Sequence, residues 1–334
     1  MTIPTISRRS AIVGAAAFGF MVRSTSAQST PVADTFPITI DHLYGSTTIE
    51  QAPERILTIG WSTQDAVIAL GYVPVAMPIN TWGGDEDGFL PWTREALGDG
   101  ELPALFSDID GLPFEQFIEF APDLILAPYS GVTEDDYQLL TAIAPTVPPI
   151  EQLWGSSWQD LTVVAGTALG ESAAAEQVIA DVDATVQSGA AEHPELAGKT
   201  FIYGNMSNDN GTFNIYTVTD PRPQFLTSIG LVPAPLVEEL SQSSENVYYG
   251  PVSFELAQTL VADVTIFWFT NDEEYATLME TEAYKALPAV QNGTFGAIVG
   301  ESLVMATSAF SPLSIPYALE AFLPVLASAA ANAG

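Results

Sequence analysis

Residues 112–126 read LPFEQFIEFAPDLIL, and residues 252–266 repeat their pattern as VSFELAQTLVADVTI. In each copy a Phe-Glu pair is followed, at the same spacing, by an aspartate (Asp123 or Asp263) and then by an apolar run. A short apolar run behind a helix-like stretch is typical of a buried strand in a parallel sheet. The second copy lies 140 positions after the first. The sequence therefore predicts two similar α/β halves.

The alternation of strands and helices extends outward from both copies. Residues 56–59 form an apolar run, a helical pattern follows as far as Gly71, and residues 73–77 form a second run. An alanine-rich stretch at about residues 173–191 predicts one long helix between the halves. We expect an α/β fold with two similar α/β lobes, each with a central parallel sheet, joined by that single long helix. The expected divisions are an N-terminal α/β lobe at residues 28–157, a connecting helical segment at 158–197 and a C-terminal α/β lobe at 198–334.

Residues 1–27 have the composition of an export signal. Arg8 and Arg9 precede an uncharged apolar stretch, residues 11–22, and small residues follow up to Ala27. That stretch is shorter than the roughly 20 residues that a membrane-spanning helix needs. The adjacent arginines indicate the twin-arginine route, and an ordinary secretory signal is the alternative. The sequence predicts a signal peptide at residues 1–27 and an extracytoplasmic protein.

The chain is strongly acidic and contains no cysteine. It has 41 acidic residues against 8 basic ones, a formal net charge of −33, which repels nucleic acid and anionic lipid surfaces. A halophilic or acidic habitat would explain this charge equally well. The absence of cysteine excludes disulfides, thiolate metal sites and a lipid anchor on an N-terminal cysteine. We therefore expect an untethered protein that does not bind nucleic acid.

Several short motifs occur in the order found in one known family. They are APERI at residues 52–56, PDLI at 122–125, IAPT at 143–146, ALG at 168–170, LPAV at 287–290 and SPLSIPYA at 311–318. In their order and spacing the chain resembles the iron-siderophore substrate-binding proteins of ABC transporters. These form a branch of the helical-backbone (class III) periplasmic binding proteins, and the resemblance covers essentially the whole mature chain.

This resemblance implies a binding protein and not an enzyme. Such a protein is a monomer that holds a ferric siderophore in a cleft between its lobes and delivers it to an ABC transporter permease dimer. It needs no cofactor, since iron enters only within the ligand. The resemblance also implies that one glutamate at the tip of each lobe docks with arginines of the permease, and the matching positions are Glu115 and Glu255. Corrinoid or haem binding by the same fold is the alternative within the family.

The ligand of such a fold is expected at the carboxyl ends of the strands. Aromatic side chains there can stack on a flat ligand shell, and arginine can meet its oxygen atoms. Trp154, Asn205 and Tyr249 are further residues that follow strands and lie at these carboxyl ends. The candidate ligand-binding residues are Trp61, Trp82, Arg94, Tyr129, Tyr216, Arg222, Trp268 and Phe310. Because only Arg94 and Arg222 lie in suitable loops, a hydroxamate or mixed siderophore is favoured over a triply negative tris-catecholate complex.

Other classes of protein fit the sequence less well. A direct receptor for metal ions needs histidine clusters, and the chain has only His42 and His193, so no metal site is predicted. A serine hydrolase would need a histidine beside a Gly-x-Ser-x-Gly motif, which is absent. A secreted carboxylate-dependent glycoside hydrolase stays open among so many acidic residues. However, Glu115 and Glu255 are expected on opposite lobes, which does not suit a catalytic pair.

Overall fold

A computed structural model describes residues 34–207 and 210–333. The predicted signal peptide at residues 1–27 lies outside the described residues. The described chain begins with an antiparallel hairpin of β1 (Ile38–His42) and β2 (Gly45–Ile49). Ile40 and Ile49 of this hairpin are buried against the first α/β layer, so the hairpin covers part of the first lobe.

The first lobe is built on a five-stranded parallel sheet. Its strands are β3 (Ile56–Thr58), β4 (Ala76–Pro78), β5 (Ala104–Phe106), β6 (Leu124–Leu126) and β7 (Thr146–Val147), in the order β5-β4-β3-β6-β7. The accompanying helices are α1 (Thr63–Ala69), α2 (Pro91–Leu97), α3 (Phe114–Phe120) and α4 (Glu134–Thr141). Every residue of β3 and β6 is buried. These strands are apolar along their length because helices cover both faces of the sheet.

Two helices lead from the first lobe to the second: α5 (Trp158–Leu169) and α6 (Ser172–Glu192), followed by a short 3₁₀ helix, η1 (Pro194–Leu196). The chain turns between α5 and α6 at Gly170, whose φ of 76° favours glycine. A Cβ atom at Gly166 would lie 2.4 Å from Cβ of Ala175, so this glycine lets the two helices pack closely. Helix α6 corresponds to the predicted long helix and packs on α5 at one end and on the last helix of the chain at the other.

The second lobe contains a six-stranded sheet. Its strands are β8 (Thr200–Ser207), β9 (Thr212–Tyr216), β10 (Val232–Pro233), β11 (Tyr249–Ser253), β12 (Val264–Phe269) and β13 (Phe295–Val299). Strands β10, β8, β12 and β13 pair in parallel, whereas β9 and β11 extend the sheet in antiparallel fashion. The short connection from β8 to β9 permits only a hairpin, since a parallel crossover needs a dozen or more residues. The predicted fold class is confirmed, with this antiparallel extension added.

The helices of the second lobe complete the layers around this sheet. They are α7 (Pro221–Ser228), α8 (Pro235–Ser243), the 3₁₀ helix η2 (Phe254–Thr259), α9 (Asp272–Met279), α10 (Glu282–Lys285), α11 (Pro288–Asn292), α12 (Glu301–Ala306) and α13 (Ser314–Ala331). Among the described helices, α13 alone is long and apolar enough to span a membrane by length and composition. Its Ile315, Phe322 and Leu326 are buried in the second lobe, which is typical of a core helix.

The aspartate of the repeated motif has the same structural role in both lobes. The Asp123 carboxylate accepts a hydrogen bond from the backbone N–H of Arg55 (2.8 Å), just before β3. The Asp263 carboxylate accepts one from the backbone N–H of Thr200 (2.7 Å), at the start of β8. This backbone hydrogen bond lowers the pKa of Asp263. The repeat therefore fixes the first strand of each sheet to the strand beside it.

A second connection, besides α5 and α6, joins the lobes. The segment 301–314 of the second lobe runs back to the first, where Ser62 Oγ donates to the Ala309 carbonyl oxygen (3.0 Å) and Ser311 Oγ donates to Asp65 (2.7 Å). The backbone N–H of Gly83 donates to Glu301 Oε2 (3.1 Å). Apolar side chains of both lobes also share one buried cluster around Trp92 and Met305. The lobes are thus held by these contacts as well as by α5 and α6.

Candidate functional site

A cleft of about 690 Å³ lies between the lobes, at the carboxyl ends of their parallel strands. Its volume is in the usual range for a small-molecule site. The aromatic residues that line it are Trp61, Trp82, Tyr129, Trp154, Tyr248, Tyr249 and Trp268. Four of the chain's six tryptophans are thus in the cleft. The large aromatic surface favours a ligand with a broad apolar or flat exterior.

The first lobe contributes a cluster of three rings. The Trp154 ring lies edge to face with those of Trp61 and Tyr129, with 5.8 Å between ring centroids in both pairs. Trp61 is 48% exposed and Trp154 40% exposed, which is unusual for tryptophan in the absence of a ligand or partner. Both are held by uncommon backbone: φ is +56° at Trp154 and +60° at Ser62, next to Trp61. Strained backbone of this kind is often found at binding sites.

The second lobe contributes the charged part of the cleft. Asp220 is the N-cap of α7, and its Oδ1 accepts hydrogen bonds from the backbone N–H of Arg222 (2.9 Å) and from Arg222 Nε (2.7 Å). Its Oδ2 accepts a third from Arg222 Nη2 (2.6 Å). The Arg222 guanidinium carbon also lies 3.4 Å from the centre of the Tyr216 ring. This geometry fixes the arginine in one orientation at the wall of the cleft.

A hydrogen bond holds Tyr216 in place behind Arg222. The Tyr216 hydroxyl accepts it from Trp268 Nε1 (2.8 Å), and the Trp268 ring in turn meets that of Trp82 from the first lobe, with centroids 6.4 Å apart. Tyr216 itself is buried and supports the cleft from behind. A continuous chain of contacts therefore runs from Arg222 across to the first lobe.

Burial and neighbouring charges decide the ionisation of the polar groups in the cleft. Burial, with a smaller contribution from Asp220, raises the pKa of Tyr129 to about 12. The phenol is therefore a neutral hydrogen-bond donor near neutral pH. Burial is the largest single influence on Arg222 and lowers its pKa, but the hydrogen bonds with Asp220, together with electrostatic interactions with Tyr216, Asp220 and Tyr203, outweigh burial and raise the pKa overall. Arg222 is permanently protonated.

The structure brings together five of the eight candidate residues as cleft-lining side chains: Trp61, Trp82, Tyr129, Arg222 and Trp268. Tyr216 lies immediately behind them, as described. Phe310 borders a separate cavity of about 140 Å³, where its ring stacks on Phe225 with centroids 4.6 Å apart. Tyr129 borders both spaces, so Phe310 lies close to the cleft without lining it.

Arg94 is not part of the cleft wall. It lies in the last turn of α2, where Nε is 2.8 Å from Asp85 and Nη2 is 2.6 Å from Asp87. Its guanidinium also covers the Phe89 ring, at 4.2 Å from the centroid. The side chain is therefore satisfied locally. Arg94 was a candidate because it follows a strand, and that position gave no sign that Asp85 and Asp87 bind its guanidinium.

Several lining residues were not among the candidates. The polar ones are Asn80, Thr81, Asp220, Asn246, Tyr248 and Ser308. Of these, Asp220 had a local signal, since aspartate before a proline at the first helical position is a typical helix start. Ser308 Oγ is enclosed and has no hydrogen-bond partner among the described residues. It could therefore meet a polar atom of a ligand.

The two histidines do not form a metal site. His42 lies in the β1–β2 hairpin, where Nε2 is 3.0 Å from Thr47 Oγ1 and burial lowers its pKa. His193 lies at the end of α6, with Nδ1 3.1 Å from Glu195. In the part of the chain that the structure describes, no three His, Asp or Glu side chains are grouped to hold a metal ion.

Glu115 and Glu255 occupy equivalent positions in the two lobes. Each is the second residue of a short helix, α3 or η2, that leads into the strand beside the first strand of its sheet. Both glutamates are exposed, and neither lines the cleft. They therefore lie on separate lobes, as expected from the repeat.

Comparison with known proteins identifies relatives over most of the chain. Residues 58–298 match the family described as periplasmic binding protein. PiaA of Streptococcus pneumoniae TIGR4 in complex with ferrichrome is 33% identical, with a TM-score of 0.79 over 89% of this chain and 100% of that chain. A second PiaA structure, of an iron uptake ABC transporter substrate-binding protein, is 32% identical, with a TM-score of 0.76 over 89% and 100%.

A more distant match comes from another organism. A periplasmic solute binding protein from Mycobacterium smegmatis str. MC2 155 is 26% identical, with a TM-score of 0.74 over 88% of this chain and 98% of that chain. None of the curated proteins matches the chain.

Proposed function

The chain belongs to the periplasmic binding protein family, and from this premise we propose that it captures a ferric hydroxamate siderophore and delivers it to an ABC importer. Its family consists of binding proteins, so the chain is not an enzyme and needs no cofactor of its own. The glycoside hydrolase alternative is thereby set aside. The iron enters the cleft only as part of the siderophore.

The observation that carries the choice of ligand is the charge of the cleft. Among the described lining residues, Asp220 and Arg222 are the only charged ones, and they neutralise each other. A ferric trihydroxamate complex is itself neutral, whereas a ferric tris-catecholate carries three negative charges. An aromatic cleft without net charge suits the neutral complex, because a buried anion needs cationic partners. PiaA, at 33% identity, has been crystallised with the trihydroxamate ferrichrome.

Binding can be measured through the tryptophans of the cleft. Since four of the six tryptophans line it, ferrichrome should quench the protein's emission in a saturable way. Iron-free ferrichrome, haemin and cyanocobalamin serve as comparison ligands in the same titration. No saturable signal with ferrichrome from the folded protein would reject the proposal, and a tighter response to haemin or cobalamin would replace it with the alternative of the same fold.

Replacing Arg222 with alanine is expected to weaken ferrichrome binding roughly 10- to 100-fold. A hydrogen bond from a charged donor in a desolvated cleft contributes about 1.5–3 kcal/mol. Because two of its nitrogen atoms already bond Asp220, the loss is expected near the lower end. The matched control is Arg94→Ala, which also removes an arginine paired with aspartate but outside the cleft. An unchanged dissociation constant for Arg222→Ala would remove this residue from the site.

The family implies that the protein is exported, and we assign the route to the twin-arginine signal of residues 1–27. Changing Arg8-Arg9 to Lys-Lys is expected to leave the precursor uncleaved in the cytoplasm, because that pathway requires the arginine pair. Immunoblots of cytoplasmic and extracytoplasmic fractions check this outcome. Normal export and cleavage of the variant would show that the general secretory route suffices.

We also propose that Glu115 and Glu255 dock the loaded protein, as a monomer, on the permease dimer. A two-fold symmetric permease presents two equivalent surfaces, and the repeat supplies one exposed carboxylate for each. Carboxylates pair with arginine in a defined, bidentate geometry. The position of both residues outside the cleft separates this role from ligand binding.

A further inference from the structure

Asp220 is an unusual residue to find in a cleft that must hold a ligand. It is only 2% exposed, and both of its carboxylate oxygens are directed at Arg222. The protein has 41 acidic residues and 8 basic ones. An unpaired cation in its binding cleft would attract anionic ligands. The structure instead couples that cation to an anion two residues earlier. The arginine keeps unused N–H donors, but it brings no net charge.

The pair is also arranged so that its two charges cannot separate. Asp220 is fixed by its N-cap bond to the backbone of α7, and the Arg222 guanidinium is fixed against the ring of Tyr216. Tyr216 is in turn bonded to Trp268. A ligand that needed the full positive charge of Arg222 would have to break these contacts. A ligand that needs only a hydrogen-bond donor would not.

We propose that Asp220 determines the charge selectivity of the cleft: by neutralising Arg222 it admits neutral ferric siderophores and discriminates against anionic ones. This inference rests on the proposed function. Its physical basis is that an anionic ligand bound to Arg222 would lie close to the Asp220 carboxylate behind it, in a partly desolvated site where repulsion is screened less than in water. Selectivity then comes from a repulsive group placed beside the attractive one.

Asp220→Asn tests the inference because it removes the negative charge and keeps one oxygen acceptor for the backbone N–H and Nε of Arg222. The amide group takes the place of the second oxygen, so the hydrogen bond from Arg222 Nη2 is lost with the charge. Asparagine is nearly the same size as aspartate and is an equally good N-cap, so the start of α7 is preserved. Asp220→Ser, which also caps helices, is the second variant should the first fail to fold. The probes are ferrichrome, which is neutral, and ferrichrome A, which has a similar trihydroxamate iron centre but three additional carboxylates. Both dissociation constants are measured by tryptophan quenching at low ionic strength.

The expected result is a change in the ratio of the two dissociation constants. Wild-type protein should bind ferrichrome more tightly than ferrichrome A, and Asp220→Asn should reduce that preference by at least about tenfold. The reduction should shrink at high salt, because screening weakens the repulsion that Asp220 exerts. The matched control is Asp85→Asn, which frees Arg94 from an aspartate outside the cleft and should leave the preference unchanged.

The outcomes separate this inference from the proposed function. If the wild-type protein binds ferrichrome and Asp220→Asn keeps the wild-type preference within twofold, the selectivity role is wrong and the proposed function stands. If the variant loses affinity for both probes in equal proportion, Asp220 merely positions Arg222, and the selectivity role is again wrong. If the folded wild-type protein binds neither probe, it is the proposed function that fails.

Discussion

Replacing Asp65 with alanine is expected to lower the free energy of unfolding by roughly 3–5 kcal/mol. Asp65 is 1% exposed. Its Oδ2 accepts hydrogen bonds from Trp92 Nε1 (2.7 Å) and Ser311 Oγ (2.7 Å), and its Oδ1 accepts one from Thr93 Oγ1 (2.8 Å). Alanine would leave these three donors buried without that acceptor. Each unsatisfied donor costs on the order of 1–3 kcal/mol, although the two hydroxyls can turn to other acceptors.

The hydrogen bonds that Asp65→Ala removes connect the two lobes. Trp92 and Thr93 belong to the first lobe, whereas Ser311 belongs to the segment that returns from the second. Thermal unfolding of Asp65→Ala is therefore expected at a midpoint roughly 10 °C below the wild-type value. Asp183→Ala, at an exposed position of α6, is the matched control and should change stability by less than about 0.5 kcal/mol. If Asp65→Ala unfolds at the same midpoint as the wild-type protein, the hydrogen bonds of Asp65 do not hold the lobes together.

Asp65→Asn should behave quite differently from the alanine variant. The asparagine oxygen can accept from Trp92 and Ser311 while its amide donates to Thr93, so the hydrogen bonds can be kept. Burial raises the pKa of Asp65 above its ordinary value of 3.8. The stability that the group contributes is therefore fully present below that ordinary value and is lost as the pH rises through the raised folded-state pKa. Unfolding midpoints are measured from acidic to neutral pH for both proteins. The part of the decrease with rising pH that comes from Asp65 should be present in the wild-type protein and absent from Asp65→Asn.

Replacing both Glu115 and Glu255 with lysine is expected to reduce uptake of ferrichrome by cells at least about tenfold. The change removes two proposed docking contacts and places like charges against the cations of the permease, which adds repulsion to the lost attraction. Double replacement by alanine should reduce uptake less, since it only removes the contacts. Each single replacement should keep part of the activity, because one lobe can still dock.

Ligand affinity and stability should hardly change in the same variants. Both side chains are exposed and outside the cleft, and exposed carboxylates without buried partners contribute little to stability. Uptake is measured with radioactive iron in cells that make only the variant protein, and affinity by tryptophan quenching. The control is Glu176→Lys with Glu192→Lys on α6, which makes the same change of charge on two other exposed positions. Loss of ligand binding by the folded Glu115, Glu255 variant would place these glutamates in the site and reject the docking role.

The sequence by itself determined the class of fold. A repeated motif, an alternation of apolar runs with helical patterns and one alanine-rich helix are local features, and local features set which segments become strands or helices. The same rules placed Trp61, Trp82, Tyr129 and Trp268 near the carboxyl ends of strands, and the structure finds all four in the cleft. The antiparallel β9 and β11 were not predicted, because they do not follow the alternation: β9 pairs through a short hairpin from β8, and β11 returns to pair with β9 after α7, β10 and α8.

Only the tertiary structure decided which polar side chains face the cleft and in what charge state. Arg94 and Arg222 were equivalent in the sequence, but the first is paired outside the cleft with Asp85 and Asp87, and the second is coupled to Asp220 within it. Asp65 resembled an ordinary acidic residue in the first turn of a helix. Its partner Ser311 lies 246 positions away along the chain. The Asp65–Ser311 pairing depends on how distant segments pack, so no pattern of neighbouring residues records it. The two arginine pairings are local, but which of them faces the cleft depends on how the lobes pack.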